Sequence, residues 1–315
     1  MSRARDSLAA EIAAALGVPE IEGLAVLSGG ASRETWAFRV SDPGGETQDY
    51  ILRRDPPAAR RSEGAIDRAT EAAVIEAAGR AGAPVPKIVA VLGADAFVME
   101  RLAGEADPRR LFKDQRYATA RARFAEDCGR ALARIHGTPI AALARLPRLD
   151  AGAQLELYRA TLDRLGATRP VFELAMRWLL LNMPEPLPPT LVHGDFRMGN
   201  ILMDEKGLVA ALDWELAHLG DPAEDLGWLC VRSWRFGGAG AVGGLGAREA
   251  LLAAHGGGID AARLRYWEIF GTFKWGAICL IQADRHLSGR ESSLEHAAIG
   301  RRASETEYDL MNMLR

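Results

Sequence analysis

Alternating and helical hydrophobic patterns divide the chain into two parts of different character. Residues 4–16 carry apolar positions at helical spacing, and residues 21–40 read as strand, glycine-containing turn, strand. A turn at Asp42-Pro43-Gly44-Gly45 leads into a third strand, 48–54. Residues 63–81 place Ala65, Ala69, Ala72, Val74, Ile75 and Ala78 on roughly one helical period, and Gly82-Ala83-Pro84 stops that helix. KIVAVLG (87–93) and AFVMERL (96–102) read as two further strands. The first hundred or so residues therefore predict a mostly antiparallel sheet with an inserted helix.

Beyond Gly104 the period changes. Helical patterns cover 117–136, 150–166, 170–182, 222–235, 246–255, 259–287 and 291–314. The proline-rich segment 183–189 is a stiff connector, because proline lacks the N–H that a helix needs. The pattern predicts an α+β protein with two lobes, a small β-rich one at 1–102 and a large, mostly helical one at 103–315.

One stretch breaks the helical run: LVHGDFRMGNILMDEKGLVAALDWE, residues 191–215. Ile201-Leu202-Met203 and Leu208 to Leu212 are short apolar runs, and Asp204 to Gly207 is a turn between them. Strand, turn, strand makes a hairpin, whose open ends lie side by side. Asn200 stands just before it and Asp213 just after it, so both come within reach of one ion. Asp195 lies five residues before Asn200, in a loop with Gly194 and Gly199 that can curl over the same point. Carboxylate and amide oxygens are hard ligands that suit Mg²⁺. A nearby carboxylate that is not a ligand can take a proton from a hydroxyl. Together these are the parts of phosphoryl transfer from a nucleotide.

This stretch resembles the aminoglycoside phosphotransferase and choline kinase group, small-molecule kinases with a protein-kinase-like fold. The resemblance covers nearly the whole chain. It is nearest to the branch related to kinase-like domains fused to acyl-CoA dehydrogenases. It implies that Asp195 orients and deprotonates the acceptor hydroxyl, that Asn200 and Asp213 hold magnesium, and that His193 buttresses the loop. It also gives meaning to LSGGASRETWAF (27–38), whose turn residues Ser28, Gly29, Gly30 and Ser32 would lay backbone N–H groups over phosphates. Kinases of this fold carry a strand lysine on the phosphates, paired with a helix glutamate. Here Arg53 stands at that position, with Arg54 the alternative, and Glu71 is the candidate partner. Arginine is planar and always charged, and it can hold two phosphate oxygens at once. Met99, Glu100 and Leu102 fall where such kinases read the adenine edge. Asp225 falls where the group braces the catalytic loop.

The expected activity is transfer of the γ-phosphate of ATP, with GTP left open, to a hydroxyl of a small molecule, with Mg²⁺. Basic residues across 259–290 favour an anionic or neutral acceptor, an acyl-CoA among the candidates. A nucleotide-binding pseudokinase and a metal-dependent phosphoesterase using His193, Asp195, Asp213 and His218 are the competing readings. Oligomeric state is left open.

Composition narrows the picture little further. The chain has 315 residues, 48% hydrophobic and 26% charged, with net charge −3 and pI near 6.1, which argues against a nucleic-acid or membrane-surface binder. No apolar run approaches the roughly 20 residues of a membrane-spanning helix. Cys128, Cys230 and Cys279 form no pair motif and read as buried free thiols of a cytoplasmic protein. The arginines near the N-terminus belong to an amphipathic surface helix rather than a targeting peptide. Gly238 to Gly243 fits GxGxxG, but a helix precedes it where a dinucleotide fingerprint needs a strand; it reads as a mobile loop over the substrate side. Trp228, Trp234, Trp267 and Trp275 read mainly as core.

Overall fold

The computed structural model describes residues 2–27, 34–41, 44–55 and 64–315. Five strands form one antiparallel sheet: β1 (Glu22–Val26), β2 (Glu34–Ser41), β3 (Thr47–Arg54), β4 (Ile88–Leu92) and β5 (Ala96–Glu100), in the order β1-β2-β3-β5-β4. Strand alternation sends each strand's side chains to two faces. On one face Leu24, Phe38, Leu52 and Val98 pack with Leu8 and Ile12 of the N-terminal helix α1 (Ser2–Leu16). On the other, Ala37, Ile51, Phe97 and Met99 join the main core together with Ala72, Val74 and Ile75 of α2 (Arg68–Arg80). The start of α2 is set by Asp67, whose side chain accepts the Thr70 N–H at 2.7 Å. The helix thus begins at Arg68 and not at 63.

The helical part is built around α9 (Ala261–Leu287), a 27-residue helix. Around it lie α3 (Pro108–Lys113), α4 (Ala118–His136), α5 (Ala151–Arg164), α6 (Pro170–Leu181), α7 (Ala223–Cys230) and α8 (Arg248–His255). At the C-terminus follow α10 (Leu294–Arg301) and α11 (Ala303–Met313). Two small antiparallel ladders complete it: β7 (Ile201–Met203) with β8 (Leu208–Ala211), and β6 (Thr190–Val192) with β9 (His218–Gly220). The first is the predicted hairpin. Glu105 and Met203 exchange backbone bonds at 2.8 and 3.0 Å, tying the segment after β5 to that hairpin. Close packing of α7 on α9 depends on Gly227, where a Cβ would come within 2.5 Å of the Trp267 carbonyl carbon.

Three expectations need correction. The predicted helix 291–314 is two helices broken at Arg302: Gly300 presses α10 against Ala283 of α9, while α11 turns to bury Ala303 and Leu310 in the core. The helix expected to reach 235 stops at Cys230 and continues as a 3-10 turn, Arg232–Arg235. The glycine-rich segment 238–246 is packed rather than free: Val242 is fully buried and donates to Gly246 O, and Gly238 and Gly244 abut Phe112. The three cysteines are buried and unpaired. Among the described residues no helix is long and apolar enough to cross a membrane.

Candidate active site

The hairpin β7–β8 delivers its two flanking residues to one place. Ile201 pairs with Ala211, and Leu212 N–H donates to Asn200 O at 2.8 Å, so Asn200 and Asp213 sit together at its open end. Asp213 has φ +67°, a left-handed conformation that a short polar side chain tolerates better than most. The preceding loop is pressed onto the segment after Asp213 through Gly194, with φ +81°; a Cβ there would lie 2.3 Å from Leu216 O. No side chain fits at that position, which is why His-Gly-Asp can fold back over the hairpin end.

Asp195 is held by three donors. Arg197 Nε and Trp228 Nε1 donate to Oδ1 at 2.9 and 2.8 Å, and Asn200 Nδ2 donates to Oδ2 at 2.6 Å. Its side chain is 14% exposed, so the carboxylate is pinned but reachable. Asn200 Nδ2 also donates to the Asp195 carbonyl at 3.0 Å. Both partners are acceptors, which fixes the amide orientation and turns Oδ1, its only metal-binding atom, away from Asp195.

The loop is anchored from beneath. Asp225 accepts the backbone N–H groups of His193 at 2.8 Å and Gly194 at 3.0 Å, and its Oδ2 lies 3.1 Å from His136 Nε2. Burial acts to raise the Asp225 pKa, but His136, His193 and these bonds outweigh it and leave the group lowered. His255 stands behind His136 at 2.9 Å; burial and that neighbour push its pKa down to about 4. His193 is fully buried against Trp214, and burial lowers its pKa, so it is a neutral buttress. A second buried cluster lies alongside. Lys274 Nζ, from α9, donates to Gly194 O at 3.3 Å and Glu224 Oε1 at 3.0 Å. Gln154 Nε2 and His218 Nε2 reach the other Glu224 oxygen at 2.6 and 3.1 Å.

The sheet contributes Arg53. Ile51 lies on the face toward α2 and Leu52 on the face toward α1, so alternation sends Arg53 toward α2 and Arg54 away. Arg53 Nη2 meets Asp213 Oδ1 at 2.6 Å, and Nε lies 3.7 Å from Glu71 Oε1. Its pKa is raised: burial opposes the charge, but Glu71 and Asp213 overcome it. The main partner of Glu71 is instead Arg68, fully buried, which also bonds Asp55 at 2.8 Å and faces Glu215 at 3.8 Å. The strand cation and helix glutamate are thus neighbours, with Arg68 inserted as the closer counter-charge.

At the end of β5, Met99 is buried on the face shared with Ile51. Glu100 Oε1 accepts Lys87 N at 2.9 Å, so this carboxylate closes the start of β4. Glu100 N and Arg101 N donate to Lys87 O and Asp49 O, whereas Leu102 N has no backbone acceptor among the described residues. Ser28, Gly29, Gly30 and Ser32 lie outside the described residues. Arg68, Arg197 and Glu224 were not singled out by the sequence, Trp228 was read as core, and Lys274 was read only as one of the basic residues of 259–290, whereas it is buried and paired with Glu224. Only Arg197, two positions from Asp195, carried a local signal that could have marked it.

The family model described as "Phosphotransferase enzyme family" matches residues 23–267. Mouse acyl-CoA dehydrogenase family member 10 is 28% identical over 224 residues, covering 64% of this chain but 20% of that protein; the chain thus spans about a fifth of this relative's length. A choline/ethanolamine kinase family protein from Mesorhizobium loti superposes with TM-score 0.66 at 23% identity, covering 98% of this chain and 94% of that one. A spectinomycin phosphotransferase in complex with ADP and spectinomycin superposes with TM-score 0.63 at 14% identity, covering 98% of each. With a β-rich lobe set on a helical one and a match over more than half its length, the chain belongs to the phosphotransferase enzyme family and has the protein-kinase-like fold of its small-molecule kinases.

Proposed function

We propose that the protein transfers the γ-phosphate of ATP, or of GTP, to a hydroxyl of a small molecule, with Asp195 as the base and Mg²⁺ held by Asn200 and Asp213. The observation that carries this reading is the convergence of Asp195, Asn200 and Asp213 at one hairpin end, with Arg53 reaching the same point from the sheet. The donor set suits magnesium. It offers hard oxygens from an amide and a carboxylate, and the amide's N–H₂ is already spent on Asp195. Bound there, the ion would neutralise charge on the nucleotide phosphates. Among the described residues no group of three or more His, Cys, Asp or Glu is arranged for a metal, which disfavours the phosphoesterase. His218 is turned to Glu224 rather than to Asp195.

The chain's own residues then act as follows. Asp195 accepts the acceptor's hydroxyl proton as its oxygen bonds to the γ-phosphorus, and the bond from that phosphorus to the β–γ bridging oxygen breaks. Arg53 shares its guanidinium between Asp213 and incoming phosphate oxygens. Asp225 holds the loop that presents the base. Leu102 N–H is a donor for a nucleobase edge. A positioned base has no place in a pseudokinase.

The test pairs two variants. Asp195→Asn keeps nucleotide binding and loses turnover by roughly a hundredfold or more, the range of a lost general base. Asp213→Ala loses the magnesium-dependent part of nucleotide affinity. Turnover surviving in Asp195→Asn, or nucleotide affinity equal with and without magnesium in the wild type, would overturn the reading. Nucleotide consumption over a panel of alcohols, hydroxyacyl-CoAs included, identifies the acceptor class.

A further inference from the structure

The three donors around Asp195 are shared unevenly between its oxygens. Oδ1 accepts two, Arg197 Nε at 2.9 Å and Trp228 Nε1 at 2.8 Å, while Oδ2 accepts one, Asn200 Nδ2 at 2.6 Å. A carboxylate oxygen offers about two lone-pair sites. Oδ1 is therefore filled and Oδ2 keeps one site open. We infer that Oδ2 is the atom that takes the acceptor's proton, and that Trp228 is the positioning residue that enforces the choice. This rests on the reading of Asp195 as base. The O–H bond of the acceptor breaks, its proton goes to Oδ2, its oxygen bonds to the γ-phosphorus, and the departing nucleoside diphosphate keeps the electron pair.

Trp228 is built for this task. An indole has a single N–H and no acceptor, so it makes one bond in one direction. The residue is 3% exposed, and Gly271 of α9 backs it so closely that a Cβ there would lie 3.2 Å from its ring. Lys274 Nζ lies 5.0 Å from its ring centroid, and the Trp234 ring packs against it with the centroids 5.0 Å apart. Lys274 also bonds Gly194 O, so one ammonium fixes both the donor ring and the loop that carries the acceptor carboxylate. Arg197, the second donor to Oδ1, is a quarter exposed on a flexible side chain. Trp228 is the rigid member of the pair. Without its N–H, Oδ1 keeps only the Arg197 bond and gains an open lone-pair site, so the carboxylate can present either oxygen to the acceptor.

The test uses Trp228→Phe, which keeps the aromatic body beneath Lys274 and deletes one N–H. Phosphate release from MgATP, with water as acceptor, should fall about tenfold in kcat while KM for ATP stays within twofold, the pattern of an interaction made in the transition state. A kcat within twofold of wild type overturns the inference. A second readout needs no turnover. The chain has seven tryptophans, and Trp228→Phe identifies one indole N–H resonance by deleting it. That resonance should lie downfield in the wild type and move upfield in Asp195→Asn; a resonance unmoved by Asp195→Asn overturns the inference, and where Trp228→Phe does not fold the resonance is assigned instead from through-bond spectra of the wild type. Asp195→Asn also separates the two claims. Retained turnover in it sinks the base itself, whereas lost turnover beside an unimpaired Trp228→Phe sinks only the role of Trp228.

Discussion

Replacing Lys274 by methionine should expose how the catalytic loop is supported. Lys274 and Glu224 are both buried, 6% and 3% exposed, and paired at 3.0 Å beneath Gly194. Burial acts to raise the Glu224 pKa, yet Lys274 first, then His218 and Gln154, hold it at about 2 against an ordinary 4.5. Such a depression corresponds to roughly 3 kcal/mol of stability at neutral pH. Methionine keeps the length and apolar stem of lysine, so little cavity forms. What changes is the charge left behind. Removing one partner of a buried pair costs on the order of 3–5 kcal/mol. His218, its own pKa raised chiefly because Glu224 overrides its burial, stays protonated more readily and offsets part of the loss. The expected destabilisation is therefore about 3 kcal/mol. Its sign with pH follows from a depressed carboxylate: the stability is present above 4.5 and is lost as pH falls toward 2. Wild type and variant should differ most near neutral pH and converge as pH drops below about 4.5. Urea unfolding, followed by circular dichroism at several pH values, measures this. Lys274→Met/Glu224→Gln removes both charges and should return to within about 1 kcal/mol of wild type. A single variant within 1 kcal/mol of wild type at pH 7, or a double variant no more stable than the single, refutes the reasoning.

Three further outcomes follow from the same contacts. Gly227→Ala places a Cβ 2.5 Å from the Trp267 backbone, which cannot yield as a side chain could, so a loss of at least 1–3 kcal/mol is expected in thermal melts. Asp225→Asn keeps the shape but replaces one acceptor oxygen by an N–H₂ facing the backbone N–H of His193 or Gly194; stability should fall by about 1–3 kcal/mol, and turnover should fall with it in a coupled assay. Arg53→Met removes the cation between Glu71 and Asp213, and nucleotide affinity measured by calorimetry should weaken about tenfold or more, the scale of a charged hydrogen bond to phosphate. An affinity unchanged in Arg53→Met would place phosphate recognition elsewhere.

Much of this arrangement was written in local patterns. Alternation in residues 48–54 and 96–102 specified strands and that only one of the two arginines turns inward; the packing of α2 on the Ile51 face decided that it is Arg53. Turn chemistry at Asp204 to Gly207 closed the hairpin, and closing a hairpin necessarily places Asn200 beside Asp213. These features depend on neighbours a few positions apart, so the chain order alone carries them. Other features rest on groups brought together from far along the chain. The strands Thr190–Val192 and His218–Gly220 are three residues each, too short for a period, and exist because they pair with each other. The donor on Asp195 comes from Trp228, 33 positions away, and the ammonium under Gly194 from Lys274, 80 positions away. Both lie in helices whose apolar period marks them as core. Arg68 stands against Glu71, Asp55 and Glu215 because a fully buried guanidinium demands carboxylate partners, and no local spacing states that demand. The sequence thus determined which chemistry is present and where it folds back on itself; tertiary packing decided which side chains hold it still, because burial and charge balance are properties of an assembled interior.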